Sequence, residues 1–225
     1  MLGRPILTDA QLNAHRVTVG NVNDVIWAPL FDFVSYITAG QLALSFFATP
    51  QGQGTTTAPG ASGSKTIADT NMNSAGQLTK GNEFYMTGQE ILFFPPGNPG
   101  IVDGGATANA FLNDTYLVSK SGVLTLKVGS DRNYIQDGPL GQFPAVTRLA
   151  VAGTIAGDVT GAVTTTNTNS AVYAAMAGET YTITPLYIES NQGFTETVNW
   201  PALVAISGVG RLGSRLRGYL IRAAQ

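Results

Sequence analysis

Cysteine is absent from this chain of 225 residues, and histidine occurs once, at His15. Without cysteine the chain can form neither disulfide bonds nor a thiolate nucleophile. A Ser-His-Asp triad would have to use His15, and a zinc site usually needs several Cys or His ligands. We therefore expect His15 to be a solvated side chain, and we predict no metal site, no cofactor and no enzymatic activity.

Charge is also scarce. Charged residues make up 12% of the chain and the formal net charge is −2, while glycine alone contributes 27 residues. The charged share is about half of what is usual for globular domains. Because weakly charged surfaces associate more readily than strongly charged ones, the composition favours a protein whose surface is largely covered by partners.

Long apolar runs are missing as well. No stretch approaches the roughly 18 apolar residues of a membrane helix. The apolar patch VIWAPLF is interrupted by Pro29, and the start, MLGRPILTDAQLN, lacks the apolar core of a signal peptide. We expect no transmembrane segment and no signal peptide, and contact with lipid only at a surface.

What the chain does contain is β-strand character. YTITPLYIESNQGFTETVNW, residues 181 to 200, predicts two strands joined by a turn at Ser190–Gly193. Alternation places Phe194 and Val198 on one face and Thr195, Thr197 and Asn199 on the other, with Glu196 among the apolar residues. The predicted core anchors are Trp27, Phe194, Val198 and Trp200.

The pattern along the chain predicts an all-β fold, an antiparallel sandwich of about eight strands with long loops. Residues 1–24 are predicted to be an N-terminal arm, and residues 25–225 one domain with loop insertions near 50–82 and 153–178. VIWAPLFDFVSYITA and QLALSFFATP are predicted to form a first strand pair, and FLNDTYLVSK a strand. A short helix is possible within 66–78.

Two features of the sequence resemble functional sites, but neither is interpreted as one. GASGSKT, residues 60 to 66, resembles a phosphate loop, but Ser64 stands where glycine must precede the lysine, and no buried strand precedes it. Glu189 and Glu196 flank the predicted turn and could meet across it, as a glycosidase pair would. We favour the simpler interpretation, in which both carboxylates lie at strand ends and face water.

Arginine is concentrated at the carboxyl end. The four residues are Arg211, Arg215, Arg217 and Arg222, and no acidic residue follows Glu196. These arginines are candidates for contact with carboxylates of a neighbouring subunit or with nucleic acid, and solvation is a third possibility. The basic run is shorter than is usual for a genome-binding arm, so the nucleic-acid signal is weak.

The chain resembles the jelly-roll major capsid proteins of tailless icosahedral viruses, particularly bacteriophages. The stretches that carry the resemblance are NVNDVIWAPLFDF, GNEFYMTGQEILFFPPGNPG, LYIESNQGFTETVNWP and GRLGSRLRGYLIR. The resemblance implies a single jelly roll that assembles into trimers or pseudo-hexameric capsomers, with other virion proteins as partners. It also implies a virion protein assembled in the host cytoplasm, in a shell around the genome or an internal membrane. The uncharged Thr/Asn row would then meet other subunits.

The alternative is a carbohydrate- or receptor-binding β-sandwich, such as a phage spike or adhesin domain. Exposed aromatic residues such as Tyr173 and Tyr187 would form its binding platform. A glycosidase that uses Glu189 and Glu196 is the weakest hypothesis.

Overall fold

A computed structural model describes residues 17–18, 21–96, 106–129, 134–143, 148–152, 170–174 and 181–223. The described strands are β1 Val17–Thr18, β2 Asn21–Trp27, β3 Leu30–Tyr36, β4 Ala43–Phe46, β5 Asn82–Phe94, β6 Val123–Val128, β7 Tyr134–Pro139, β8 Arg148–Ala152, β9 Ser170–Ala174, β10 Tyr181–Ile188, β11 Phe194–Asn199 and β12 Gly210–Ala223. Among the described residues, one α-helix, α1, spans Ala106–Ser121, and a 3-10 turn spans Leu140–Gln142. The prediction of an all-β fold is confirmed.

The larger sheet has six strands and is built around β12. Its order is β1-β2-β12-β5-β10, and β3 also pairs with β12. The amino-terminal half of β12 pairs with β3 and the carboxy-terminal half with β2. The break between β2 and β3 falls at Ala28-Pro29, because proline has no N–H to donate to a ladder.

The smaller sheet has four strands in the order β4-β11-β6-β7. Its inner side chains and those of the six-stranded sheet form one buried cluster, which includes Phe84 and Met86 of β5, Leu126 of β6, and Leu212 and Leu216 of β12. Each such side chain contributes about 1.5–3 kcal/mol by leaving water. The two antiparallel sheets therefore form a sandwich around a single apolar core.

Three of the four predicted core anchors lie in this core, and one does not. Phe194, Val198 and Trp200 are buried, and the indole Nε1–H of Trp200 donates to the carbonyl of Val118 at 2.9 Å. The prediction for Trp27 is wrong, since its side chain is 45% exposed. Trp27 lies opposite Tyr219 on the outer face of the six-stranded sheet, where the alternation of β2 directs it away from the core.

The two strands predicted within residues 181–200 and the turn between them are present, but the strands do not pair with each other. β10 pairs with β5 in the six-stranded sheet, whereas β11 pairs with β4 and β6 in the other sheet. The connection at Ser190–Gly193 therefore carries the chain from one sheet to the other. Its Asn191 has a φ of 61°, in the left-handed region that asparagine tolerates. The predicted pairing of the first two strands fails for the same reason, because β3 pairs with β12 and β4 with β11.

FLNDTYLVSK lies in a helix rather than in the predicted strand. Within α1, Asp114 and Val118 are buried while Tyr116 is exposed, which is a helical spacing of four residues. The carboxylate of Asp114 accepts hydrogen bonds from the backbone N–H and the hydroxyl of Ser207. This tertiary contact and the alanine-rich start of the segment favour the helix.

The predicted loop at 50–82 is ordered by turns and two isolated β-bridges, and it contains no helix at 66–78. Strand β2 begins at Asn21, before the predicted end of the arm at residue 24. In the predicted 153–178 insertion, β9 pairs with β8 in a two-stranded sheet. Residues 153–169 and 175–180, and residues 1–16 with His15, lie outside the described residues.

Candidate interaction surfaces and a buried polar cluster

The four predicted arginines all lie on β12, and each has a carboxylate partner in the same chain. On the outer face of the sheet, Arg215 and Arg217 donate to one oxygen of Glu90, at 2.8 and 3.1 Å. The Glu90 side chain has no exposed surface. Arg222 makes only a loose, exposed pair with Asp24, at 3.7 Å.

Arg211 ties the long loop to the sheet. The Nε of Arg211 donates to the Thr57 hydroxyl at 2.8 Å, and Nη2 donates to the Ala68 carbonyl. Nη2 also lies 3.6 Å from Oδ1 of Asp69. The guanidinium group lies over the Phe33 ring, 3.9 Å from its centre. The arginines thus pair with carboxylates of their own chain, and their contact with a neighbouring subunit or with nucleic acid stays a prediction. Sequence reasoning missed these pairs because Glu90 and Asp69 are more than a hundred residues away from β12 along the chain.

Asp69 is the anchor of the loop at 50–82. Its carboxylate accepts hydrogen bonds from the hydroxyls of Thr56 and Thr57 and from the backbone N–H groups of Thr57 and Thr66, at 2.7 to 3.0 Å. Burial alone would raise the pKa of Asp69, but these hydrogen bonds stabilise the charged form more and hold the pKa well below its usual value. Asp69 therefore joins two segments of the loop, at Thr56–Thr57 and at Thr66, through one ionised carboxylate.

Glu189 and Glu196 do not form a catalytic pair. Glu189 is exposed, whereas Glu196 is fully buried between the two sheets, which corrects the expectation that both face water. Glu196 accepts hydrogen bonds from the Gln89 amide at 2.8 Å and from the Ser214 hydroxyl at 2.7 Å, both on the opposite sheet. Burial raises the pKa of Glu196 to about 7, against the opposing effect of these hydrogen bonds.

A second buried acid lies beside this one. Asp32 is the cross-strand neighbour of Ser214, and the Nζ of Lys65 lies 2.6 Å from its Oδ1. Burial raises the pKa of Asp32, and Lys65 opposes that effect. With one lysine and two carboxyl groups, this interior cluster is neutral when Glu196 is protonated. Lys65 belongs to the rejected phosphate-loop motif, and no sequence signal places it against Asp32.

The outer face of the four-stranded sheet is nearly uncharged. The predicted row of Thr195, Thr197 and Asn199 points away from the core. Its cross-strand neighbours continue the pattern, with Ser45 and Thr125 beside Thr197. Lys127 and Asp137 are the charged residues at outward positions of the strands described here. This face therefore offers a patch of hydroxyl and amide groups beside the apolar residues Ala43 and Val123.

Exposed apolar side chains gather at one end of the sandwich. Ile37, Leu42, Leu203 and Val209 are all large and exposed. They lie on the β3–β4 and β11–β12 connections. The backbone N–H of Trp200 donates to the Leu42 carbonyl at 2.9 Å and so joins these two connections. We call these four residues the apolar end.

An aromatic row crosses the six-stranded sheet at its other end. Trp27, Tyr219, Tyr85 and Tyr187 occupy directly opposed positions on β2, β12, β5 and β10. Trp27 and Tyr219 make an edge-to-face contact at 4.9 Å. Tyr173 lies in β9, and its side chain falls outside the described residues.

Within the described ranges, no three His, Cys, Asp or Glu side chains group as metal ligands, and no helix is long and apolar enough to cross a membrane. No family model, no curated protein and no solved structure matches this chain.

Proposed function

We propose that this chain is a structural subunit that assembles with copies of itself, as the major capsid protein of an icosahedral virus does. The observation that carries the proposal is the outer face of the four-stranded sheet. A patch of Thr, Ser and Asn can be covered by another subunit at a lower desolvation cost than a charged surface, and Lys127 and Asp137 are the charged residues of this face. Repeated contacts between identical surfaces close into symmetric shells.

Two further features support assembly. The apolar end presents four large exposed side chains on two connections that hydrogen-bond to each other, and exposed apolar patches are typical of protein interfaces. The arginines of β12 are occupied by Glu90, Asp69 and Asp24, which leaves less free positive charge for nucleic acid. The jelly-roll topology, the virion location and contact with other virion proteins belong to the same proposal.

Assembly is tested by light scattering and electron microscopy of the purified chain. Asn199→Arg adds a charge to this nearly uncharged face, and we expect it to abolish particles or lower the oligomeric state. Thr184→Arg is the matched control, because Thr184 is an exposed threonine on β10 of the other sheet. A wild-type chain that stays monomeric at all concentrations contradicts the proposal.

The second candidate function is carbohydrate binding on the aromatic row. The row favours it because Tyr187 lies in line with Trp27, which is exposed and can stack against a ligand. A glycan array compares the wild type with Trp27→Ala, and selective binding that the variant loses would support this function over assembly.

A further inference from the structure

Lys65 and Asp32 form a close ion pair in the interior of the protein. The Nζ of Lys65 lies 2.6 Å from Oδ1 of Asp32, and the two side chains are 5% and 0% exposed. We propose that they condense into an intramolecular isopeptide bond, which ties the 50–82 loop covalently to β3. No partner, cofactor or other protein is needed for this bond to form.

Both backbone polar groups of Lys65 are hydrogen-bonded within the loop. The N–H of Lys65 donates to the Gln53 carbonyl at 3.0 Å, and the Lys65 carbonyl accepts from the Gly52 N–H at 2.9 Å. These bonds fix the main chain from which the Lys65 side chain extends, and the buried side chain ends at Asp32. Holding two reactants in place can supply effective concentrations of about 10⁵ M or more.

The other carboxyl oxygen has a backbone donor. The Phe47 N–H lies 2.7 Å from Oδ2 of Asp32. Such a donor stabilises negative charge that develops on a carbonyl oxygen during acyl transfer. Phe47 has a φ of 62°, a left-handed conformation that a bulky aromatic residue rarely adopts, and strained residues of this kind gather at functional sites.

The reaction balances without an external reagent. A proton moves from the Lys65 ammonium to Oδ1 of Asp32, which leaves a neutral amine and a carboxylic acid. The amine lone pair attacks Cγ of Asp32, and the Phe47 N–H stabilises the charge on Oδ2. A second proton passes from Nζ to the departing Oδ1 hydroxyl, the Cγ–Oδ1 bond breaks, and one water molecule is released.

The buried surroundings favour the product. Two charges kept out of water are costly even when paired, whereas an amide is neutral. Burial raises the pKa of Asp32, which helps Oδ1 to accept the first proton. Glu196 and Ser214 lie in the same cluster, and a protonated Glu196 adds no second negative charge.

Intact-mass spectrometry of the denatured wild-type chain tests the bond. We expect a mass lower than that of the sequence by one water molecule. Trypsin should then fail to cut after Lys65 and yield a peptide spanning 17–80 that lacks one water, rather than the separate peptides 17–65 and 66–80.

Lys65→Arg keeps the positive charge but removes the primary amine, and it should restore the full sequence mass. Lys80→Arg is the matched control, because Lys80 is an exposed lysine of the same loop, and it should keep the deficit. A wild-type chain with its full mass and normal cleavage after Lys65 overturns the proposal, and no variant is needed for that result. A deficit that persists in Lys65→Arg overturns it as well.

Discussion

Glu90 and Glu196 are equally buried on opposite sides of the six-stranded sheet, yet their partners differ in kind. Glu90 faces outward and binds the guanidinium groups of Arg215 and Arg217. Glu196 reaches the inner face and binds the neutral side chains of Gln89 and Ser214. Burial alone therefore does not decide whether a carboxyl group is charged. The groups that surround the carboxyl group decide it.

Replacing Glu90 or Glu196 with glutamine should give the largest difference in free energy of unfolding between two variants. Glu90→Gln removes the charge that two arginines share, and the cost should approach the roughly 3–5 kcal/mol of a broken buried ion pair as an upper limit, since the arginines are 27% and 20% exposed. Urea unfolding measured by circular dichroism should show this loss in free energy of unfolding. Glu189→Gln, at an exposed position, is the control and should change stability by less than about 0.5 kcal/mol.

Glu196→Gln should behave differently and depend on pH. The pKa of Glu196 is raised from 4.5 to about 7, so its contribution to stability is complete below 4.5 and is lost as the pH rises through about 7. Between about pH 5 and about pH 8, the wild type should lose roughly 2–3 kcal/mol relative to Glu196→Gln. Parallel stability curves for the two proteins would show that Glu196 is charged in the folded state.

The pH dependence expected for Asp69 has the opposite sign to that of Glu196. Asp69 is held ionised by hydrogen bonds, so its contribution is present above pH 3.8 and is lost as the pH falls. Asp69→Asn should cost about 1–3 kcal/mol, because charge-assisted hydrogen bonds are weakened. Limited proteolysis should show faster cleavage within residues 50–82, and unchanged cleavage there would contradict the anchoring role.

The smallest effect is expected at the exposed pair. Arg222 and Asp24 are 46% and 48% exposed, and such pairs contribute about 0–1 kcal/mol. Arg222→Ala should shift the thermal midpoint hardly at all, and added salt should remove any difference from the wild type. A loss as large as that of Glu90→Gln would mean that exposure does not separate these two ion pairs.

The sequence predicted strands well where alternation and β-branched residues coincide. β3, β4, β10 and β11 all lie in stretches expected to be strands, and the outward Thr/Asn row of β11 follows the predicted pattern. Pairing was predicted poorly, because a turn signal at Ser190–Gly193 does not say whether the next strand joins the same sheet. The helix at FLNDTYLVSK was missed because the packing of Asp114 and Val118 against distant residues decided it.

The candidate sites divide in the same way. The cluster of arginines on β12 is visible in the sequence, but Glu90 and Asp69 are brought to it only by the fold. Glu196 is visible as an acid among apolar residues, but its partners Gln89 and Ser214 lie on the opposite sheet.

Composition and local alternation, which depend only on neighbouring residues, determined by themselves an all-β chain poor in charge and thiols. The tertiary structure decided which strands pair, which carboxylates meet arginine or lysine, and which acid is enclosed without a counter-ion. The physical reason is that charge pairing and burial depend on distance in space, and residues such as Asp32 and Lys65 become neighbours only when the two sheets close around them.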